Sequence, residues 1–164
     1  MNRFFYFILL CFISITTVQA QKSSLTVDLG YRNKSDRANW GIGTQFKYTL
    51  VKDFRLGADA MIYIPEDSYM GLDIGVNAQY LIHLQERLLV YPVAGLIISN
   101  HRFPSDPKAR HVTGLGFSFG LGGEFYLSQK YFINADLRYS LIDKDKPHWY
   151  KDYALFRVGL GFRL

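Results

Sequence analysis

A strict alternation of apolar with polar or small residues constrains this chain more than any other feature. The first run alternates Leu25, Val27, Leu29 and Tyr31 with Thr26, Asp28, Gly30 and Arg32. Successive side chains of a β-strand point to opposite faces, so a period of two predicts a strand with one apolar face. The sequence therefore predicts an all-β protein, which agrees with its content of 13 Phe and 12 Tyr residues.

Seven further runs extend the pattern to the end of the sequence. With the first, they occupy 25–32, 39–50, 54–64, 70–80, 88–99, 113–127, 133–141 and 156–164. The fifth run is apolar on both faces, so its register stays unassigned, and Pro92 within it predicts a bulge or a local loss of pairing. We expect eight strands.

The connections between the runs differ in length in an alternating way. Short turns are expected at 50–54, 83–87 and 128–131, intermediate loops at 33–38 and 65–69, and long polar loops at 99–112 and 142–152. Short turns at one end of a sheet and longer loops at the other are typical of the two rims of an outer-membrane barrel.

The direction of the polar face distinguishes a membrane barrel from a soluble one. A lipocalin-like protein would turn its apolar face inward, but eight strands enclose only a narrow space, which large Leu, Ile, Phe and Tyr side chains would overfill. Aromatic residues cluster near the strand ends, as interfacial girdles do: Tyr48, Phe54, Tyr80, Phe125, Tyr131 and Phe162 near the short turns, and Tyr31, Trp40, Tyr69 and Tyr139 near the longer loops. We predict an eight-stranded antiparallel up-and-down transmembrane β-barrel with both termini in the periplasm.

Residues 1–20 have the features of a secretory signal peptide. Arg3 provides the positive charge, 4–15 is apolar, and Val18-Gln19-Ala20 is a small-residue cleavage pattern, with a retained membrane helix as the alternative. Cleavage leaves the barrel domain at 21–164, directed to the bacterial outer membrane. Cys11, the one cysteine, lies within the signal, so the mature chain forms no disulfide, although a lipoprotein anchor at Cys11 is a further alternative.

These features together resemble the small outer-membrane barrels of the OmpA-transmembrane-domain and OmpX type. The resemblance covers 21–164 and rests on the signal peptide, the strand count, the segment 91–95 and the closing strand 156–164. It implies that the last strand is read by the barrel-assembly machinery during insertion. Leu164 stands where that family usually has an aromatic residue.

Charged residues on the polar face point into the predicted lumen. They are Asp28, Asp59, Asp73, Glu124 and Asp136 against Arg32, Lys47, Arg55, Arg138, Arg157 and Arg163. Buried charges must be paired and hydrogen-bonded, so we expect a structural network that plugs the lumen. Its predicted members are Asp28, Asp59, Asp136, Arg138 and Arg157. An ion pathway, as in a narrow porin, is the alternative.

Candidate catalytic and metal-binding residues are few. His111, Thr113 and Glu124 invite comparison with barrel enzymes that deacylate lipopolysaccharide through a His-x-Ser pair, but Thr113 replaces the serine and Glu124 falls at the far rim. His83, His101 and His148 lack metal-ligand spacing, so we expect no metal and no cofactor. The net charge of +5 is scattered, with no long Lys/Arg run, which argues against a nucleic-acid partner.

The two long loops carry the remaining candidate binding residues. They are Arg102, Phe103, Lys108 and Arg110 in one loop and Trp149 and Tyr150 in the other. Cationic and aromatic side chains on a rigid scaffold suit outer-membrane lipid, lipopolysaccharide sugars or a surface protein. We therefore expect a non-enzymatic monomer that serves envelope integrity or surface interaction, with a lipid A-modifying enzyme or a narrow porin as alternatives. Plain hydrated loops would leave a purely structural role.

Overall fold

The computed structural model describes residues 22–34, 37–66, 69–102, 112–142 and 152–164. Its strands are β1 (Ser23–Lys34), β2 (Arg37–Val51), β3 (Phe54–Glu66), β4 (Tyr69–Tyr80), β5 (Ile82–Gln85), β6 (Leu88–Arg102), β7 (Val112–Tyr126), β8 (Tyr131–Ile142) and β9 (Tyr153–Arg163). The predicted signal peptide lies outside the described residues. Among those that are described, no helix is long and apolar enough to cross a membrane.

The strands form one closed antiparallel barrel. Apart from β4 and β5, strands that are consecutive along the chain pair with each other, and β9 returns to pair with β1 from Ser24↔Arg163 to Asn33↔Ala154. Strands β4 and β5 both pair with β6 and are separated by Leu81 alone, so they form one interrupted strand of the wall. The prediction of an eight-stranded antiparallel barrel is confirmed.

The pairing register sets the width of the barrel. Following paired residues around the wall from Ser23 leads back to β1 at Asn33, ten residues further along. With about 3.3 Å of rise per residue and about 4.8 Å between strands, this offset tilts the strands by roughly 40° and gives a backbone radius of about 8 Å. Such a bore has room for side chains and little else.

The more polar face of strands β1–β4 and β7–β9 points into this bore. Buried and exposed residues alternate as the sequence predicts, with Asp28 buried and Val27 and Leu29 exposed on β1. The structure also assigns the register of β6, whose inward side chains include Leu89, Tyr91, Val93, Ile97 and Ser99. This strand is apolar on both faces because its inward residues form apolar layers of the lumen.

Pro92 interrupts pairing on one side of β6 only. The ladder to β7 continues through Pro92↔Leu121, whereas the ladder to β4 stops at Gln79↔Val93 and resumes at Ile82↔Val90 without a change of register. Proline has no N–H to donate, and Leu81 donates its own N–H to Asp53 O at 2.8 Å. The expected local loss of pairing is confirmed.

Three predicted connections are wrong in length. The β1–β2 ladder continues to Lys34↔Arg37 and the β3–β4 ladder to Glu66↔Tyr69, so strand occupies most of the expected intermediate loops. The turn expected at 83–87 shrinks to 86–87, because β5 occupies its first residues. We call the end that carries 103–111 and 143–151 the loop rim, and the opposite end, with the termini, the turn rim.

Aromatic side chains form two girdles on the outer wall. The register and strand tilt place Tyr48, Phe54, Tyr80, Phe125, Tyr131 and Phe162 within about 6 Å of height near the turn rim. They place Tyr31, Trp40, Phe117, Tyr139 and Phe156 in a second belt nearer the loop rim. Together the two belts span about 24 Å of height, and the wall between them is mainly aliphatic, as expected of a membrane-spanning barrel. The predicted girdles are confirmed, except for Tyr69, whose side chain lies outside the described residues.

The lumen as candidate functional site

Five carboxylates and five cations occupy the described lumen. They are Asp28, Asp59, Asp73, Glu124 and Asp136, and Arg32, Lys47, Arg55, Arg138 and Arg157. All ten side chains are nearly inaccessible to solvent, whereas Arg163, also predicted to point inward, is exposed at the turn rim. The charges divide into clusters at three heights.

The middle cluster is built on Arg157 of β9. Its Nε lies 2.9 Å from Asp136 Oδ1 and its Nη2 lies 3.1 Å from Asp136 Oδ2, in a two-pronged contact between paired residues of neighbouring strands. Its Nη1 donates to Asp59 Oδ1, 3.2 Å away on the far wall. One guanidinium therefore joins β3, β8 and β9 across the bore.

Arg138 gives the middle cluster a second bridge across the lumen. Its Nη1 lies 3.1 Å from Asp59 Oδ2 and its Nε lies 3.2 Å from Asp136 Oδ1. Gln45 attaches the fifth predicted member, because its Nε2 donates to Asp28 Oδ2 at 2.9 Å and to Asp136 Oδ2 at 3.2 Å. The five predicted network residues thus lie together, with Asp28 joined through an amide rather than through an ion pair.

A second cluster lies nearer the turn rim and centres on Glu124. Lys47 Nζ and Arg55 Nη2 each lie 2.8 Å from Glu124 Oε1, and Tyr126 donates its hydroxyl to Oε2 at 2.7 Å. Lys47 also donates to Asn134 Oδ1 at 2.7 Å. One carboxylate therefore compensates two buried cations.

Two amide side chains connect the middle cluster with the cluster around Glu124. Arg55 Nε donates to Gln79 Oε1 at 2.8 Å, Gln79 Nε2 donates to Asn77 Oδ1 at 2.7 Å, and Asn77 Nδ2 donates to Asp59 Oδ2 at 2.7 Å. The result is one continuous polar network from Arg55 to Arg138. It includes Gln45, Asn77 and Gln79, which were not predicted as members of the network, although the alternation along their strands places all three on the inward face.

The third cluster closes the lumen near the loop rim around Asp73. Tyr63 and Tyr153 donate their hydroxyls to Asp73 Oδ2 at 2.8 and 2.5 Å, and Ser99 donates to Oδ1. The Arg32 guanidinium lies 3.7 Å from the centre of the Tyr63 ring and 3.8 Å from Asp73 Oδ2. Phenolic hydroxyls and one cation together satisfy a buried carboxylate.

A group of buried apolar side chains overlaps the upper cluster and shares Tyr63 and Tyr153 with it. Its side chains are Met61, Tyr63, Ile97, Ile142, Tyr153 and Leu155, each at most 5% exposed. Glycines make room for them, since a Cβ at Gly43 would come within 2.7 Å of the Met61 methyl carbon. Polar and apolar side chains therefore occupy this part of the lumen together.

The residues considered for catalysis do not come together. Thr113 is exposed on the outer wall, where its hydroxyl accepts a hydrogen bond from Asn100 at 2.7 Å. Glu124 lies inside the lumen, eleven residues along the same strand, or about 36 Å away, while His111 lies outside the described residues. In the part of the chain that the structure describes, no three His, Cys, Asp or Glu residues are placed to hold a metal ion.

The predicted loop-binding residues fall largely outside the described residues. Arg102 ends β6 at the loop rim, where its backbone pairs with Met70. Phe103, Lys108, Arg110, Trp149 and Tyr150 all belong to 103–111 and 143–151. The described residues that flank the two segments are Arg102, Val112, Ile142 and Asp152, at or next to the ends of their strands.

Comparison with known proteins identifies the family. The family model of the outer membrane protein beta-barrel domain matches residues 8–163. The chain belongs to this family. It is a transmembrane protein of the bacterial outer membrane. In barrels of that membrane the longer loops face the exterior. No curated protein sequence matches it.

Solved structures of other outer-membrane barrels share the fold. The N-terminal β-barrel domain of Pseudomonas aeruginosa OprF has 18% identity and a TM-score of 0.67, with 86% of this chain and 97% of that chain covered. Neisserial surface protein A has 18% identity and a TM-score of 0.65, covering 89% and 97%. Ail, the attachment invasion locus protein of Yersinia pestis, has 16% identity and a TM-score of 0.64, covering 87% and 97%. The outer-membrane enzyme PagL also matches, at 8% identity and a TM-score of 0.58, with 86% and 99% covered. The fold therefore accommodates more than one activity.

Proposed function

We propose that this protein is a non-enzymatic monomer whose lumen is sealed by its own side chains and whose external loops act at the cell surface. The observation that carries the proposal is the continuous network from Arg55 to Arg138, which spans the bore between opposite walls. The donor–acceptor distances between the buried groups of this network are 2.7–3.1 Å, which argues against the passage of a hydrated ion. The network therefore favours a closed barrel over a narrow porin.

Conductance across a planar lipid bilayer tests the sealed lumen. The purified, folded protein is inserted at defined amounts, with a general porin as the positive control. We expect no discrete current steps from this protein under conditions in which the porin conducts. Reproducible ion-selective steps that scale with the inserted protein would contradict the sealed lumen and support the narrow porin.

A non-enzymatic role is supported by the separation of Thr113 from Glu124 and by the commitment of Glu124 to Lys47 and Arg55. Mass spectrometry of lipid A from cells with and without the protein tests it. We expect identical spectra. A mass change that depends on the protein and disappears in His111→Ala would replace this proposal with a lipid A-modifying enzyme.

The external loops are proposed to contact the anionic sugars of lipopolysaccharide. Lys108 and Arg110 supply positive charge and Phe103 and Trp149 supply aromatic surface in segments that leave the same rim. Deletion of 103–110 is expected to preserve folding and to lower both lipopolysaccharide binding and resistance of cells to detergent. Lys108→Gln with Arg110→Gln is expected to do the same, and Asp143→Asn with Asp145→Asn serves as the charge control.

Two results would overturn this loop assignment. Unchanged lipopolysaccharide binding after the deletion would leave only the structural role. Lost adhesion to a surface protein with unchanged lipopolysaccharide binding would replace the lipid partner with a protein partner. Insertion by the barrel-assembly machinery is proposed as well, and folding in cells depleted of that machinery tests it.

A further inference from the structure

A groove on the outer wall combines an aliphatic floor with two aromatic rings. It runs beside β1, is lined by Leu29, Tyr31, Trp40, Phe156 and Val158, and has a volume of about 590 Å³. Leu29 pairs with Val158 across the β1–β9 ladder, and Tyr31 pairs with both Trp40 and Phe156. Leu29 and Trp40 are 61% and 60% exposed, so the groove is open to its surroundings.

The depth of the groove identifies what surrounds it. The register places Val158 near mid-height of the barrel and Trp40 about 11 Å higher, at the level of the upper girdle. The groove is therefore continuous with the lipid-facing belt and lies wholly in the half next to the loop rim. That half contacts the outer leaflet, the leaflet that contains lipid A.

The two ends of the groove differ in chemistry. Leu29 and Val158 are aliphatic and form its deep end. Tyr31 and Trp40 form its upper end, with ring centres 5.1 Å apart and ring planes at 61°. A phenol and an indole at the level of the headgroups present hydrogen-bond donors to polar groups while their rings pack against hydrocarbon. An acyl chain below a phosphorylated sugar headgroup matches this arrangement.

We propose that this groove, lined by Leu29, Tyr31, Trp40, Phe156 and Val158, is a preferential binding site for one acyl chain of a lipid A molecule. The proposal is independent of the sealed lumen and of the external loops, since it uses only residues of the membrane-spanning wall. It predicts that lipid A occupies this part of the wall more often than its share of the outer leaflet requires.

Trp40 is a built-in reporter for this site, because the chain has only two tryptophans. Trp149→Phe leaves Trp40 alone, and vesicles of phosphatidylcholine with brominated chains quench its fluorescence. Unbrominated lipid A is then added in steps. The matched reporter is a triple variant that carries Trp40→Phe, Trp149→Phe and Phe117→Trp. Its single tryptophan lies at a similar height on another part of the wall, where Phe117 is exposed.

We expect half of the quenching at Trp40 to be relieved at a lipid A fraction about fivefold lower than at the Phe117→Trp reporter, a difference of about 1 kcal/mol in binding. Val158→Phe fills the groove and is expected to abolish the difference, whereas Val76→Phe, on a lipid-facing position outside it, leaves the difference intact. Heat-modifiable gel migration establishes that each variant is folded.

Three outcomes would overturn the proposal. Equal relief at both reporters would mean that lipid fills the groove in proportion to its abundance. Equal relief by phosphatidylglycerol and lipid A would mean that the groove does not distinguish lipid A. Protection of Trp40 that depends on protein density rather than on lipid A would assign the groove to a second copy of this chain.

Discussion

Arg157 holds the Asp136 carboxylate through two nitrogens while its remaining nitrogen reaches Asp59 on the opposite wall. The distances are 2.9 and 3.1 Å to Asp136 and 3.2 Å to Asp59, and the Arg157 side chain is inaccessible to solvent. The Asp136 contact follows from direct pairing on β8 and β9. The Asp59 contact arises only because the barrel is closed and narrow.

Arg157→Leu is expected to destabilise the folded barrel by about 3 kcal/mol. The change leaves Asp136 and Asp59 buried with only Arg138 to compensate them. The measurement is the urea unfolding transition in detergent micelles or lipid vesicles. The matched control is Arg163→Leu, on the same strand but exposed at the turn rim, which is expected to cost less than about 1 kcal/mol. Equal midpoints for the wild type and Arg157→Leu would contradict the structural role of the network.

Two glycines of β7 are expected to differ sharply in their tolerance of a methyl group. A Cβ at Gly120 would lie 2.0 Å from the backbone oxygen of Leu137, whereas the nearest atom to a Cβ at Gly123 is Leu89 O at 3.4 Å. The backbone must move in the first case, so Gly120→Ala is expected to lower the free energy of unfolding by about 1–3 kcal/mol. Gly123→Ala is expected to be neutral or slightly stabilising. Comparable losses in both variants would mean that strand spacing is not limiting at Gly120.

The inward charges were predictable because alternation alone assigns them to a face. Asp136 and Arg157 were expected to meet because they lie on neighbouring strands near the same height. The contact between Arg138 and Asp59 was not derivable in the same way, since β8 and β3 are far apart around the wall. It depends on the tilt and radius, which follow from the ten-residue register offset rather than from any local pattern.

The inner face of β6 illustrates a different limit. Polarity reveals direction only when the two faces of a strand differ, and Leu89, Tyr91, Val93 and Ile97 are as apolar as the residues that face lipid. These side chains belong to buried apolar groups of the lumen, so the inner face of β6 carries no polar signal that the sequence could reveal. The sequence predicts that Asp73 and Arg32 of the upper cluster point inward, but it does not single out their phenolic partners, because Tyr63 and Tyr153 resemble aromatic girdle residues when only composition and strand position are considered.

Glu124→Gln is expected to destabilise the protein more than Lys47→Met, by at least about 1 kcal/mol. Loss of Glu124 leaves two buried cations, Lys47 and Arg55, without a compensating charge, whereas loss of Lys47 leaves Glu124 paired with Arg55. The double variant is expected to cost less than the sum of the single changes, because each removes part of the imbalance created by the other. Urea unfolding of the three variants measures both effects. Additive losses would mean that Lys47 and Glu124 act independently.

Tyr63→Phe isolates a single hydrogen bond of the upper cluster. The change removes the hydroxyl that donates to Asp73 at 2.8 Å but keeps the ring beneath the Arg32 guanidinium. Because a buried carboxylate then lacks one of its hydrogen-bond donors, the free energy of unfolding is expected to fall by about 2 kcal/mol. Tyr139→Phe, which removes a hydroxyl from the exposed outer wall, is the matched control and is expected to leave the unfolding midpoint nearly unchanged. A loss at Tyr139 equal to that at Tyr63 would show that both changes act through the membrane interface rather than through Asp73. A selective loss at Tyr63 would establish that the carboxylate at the outer end of the lumen requires its phenolic donors.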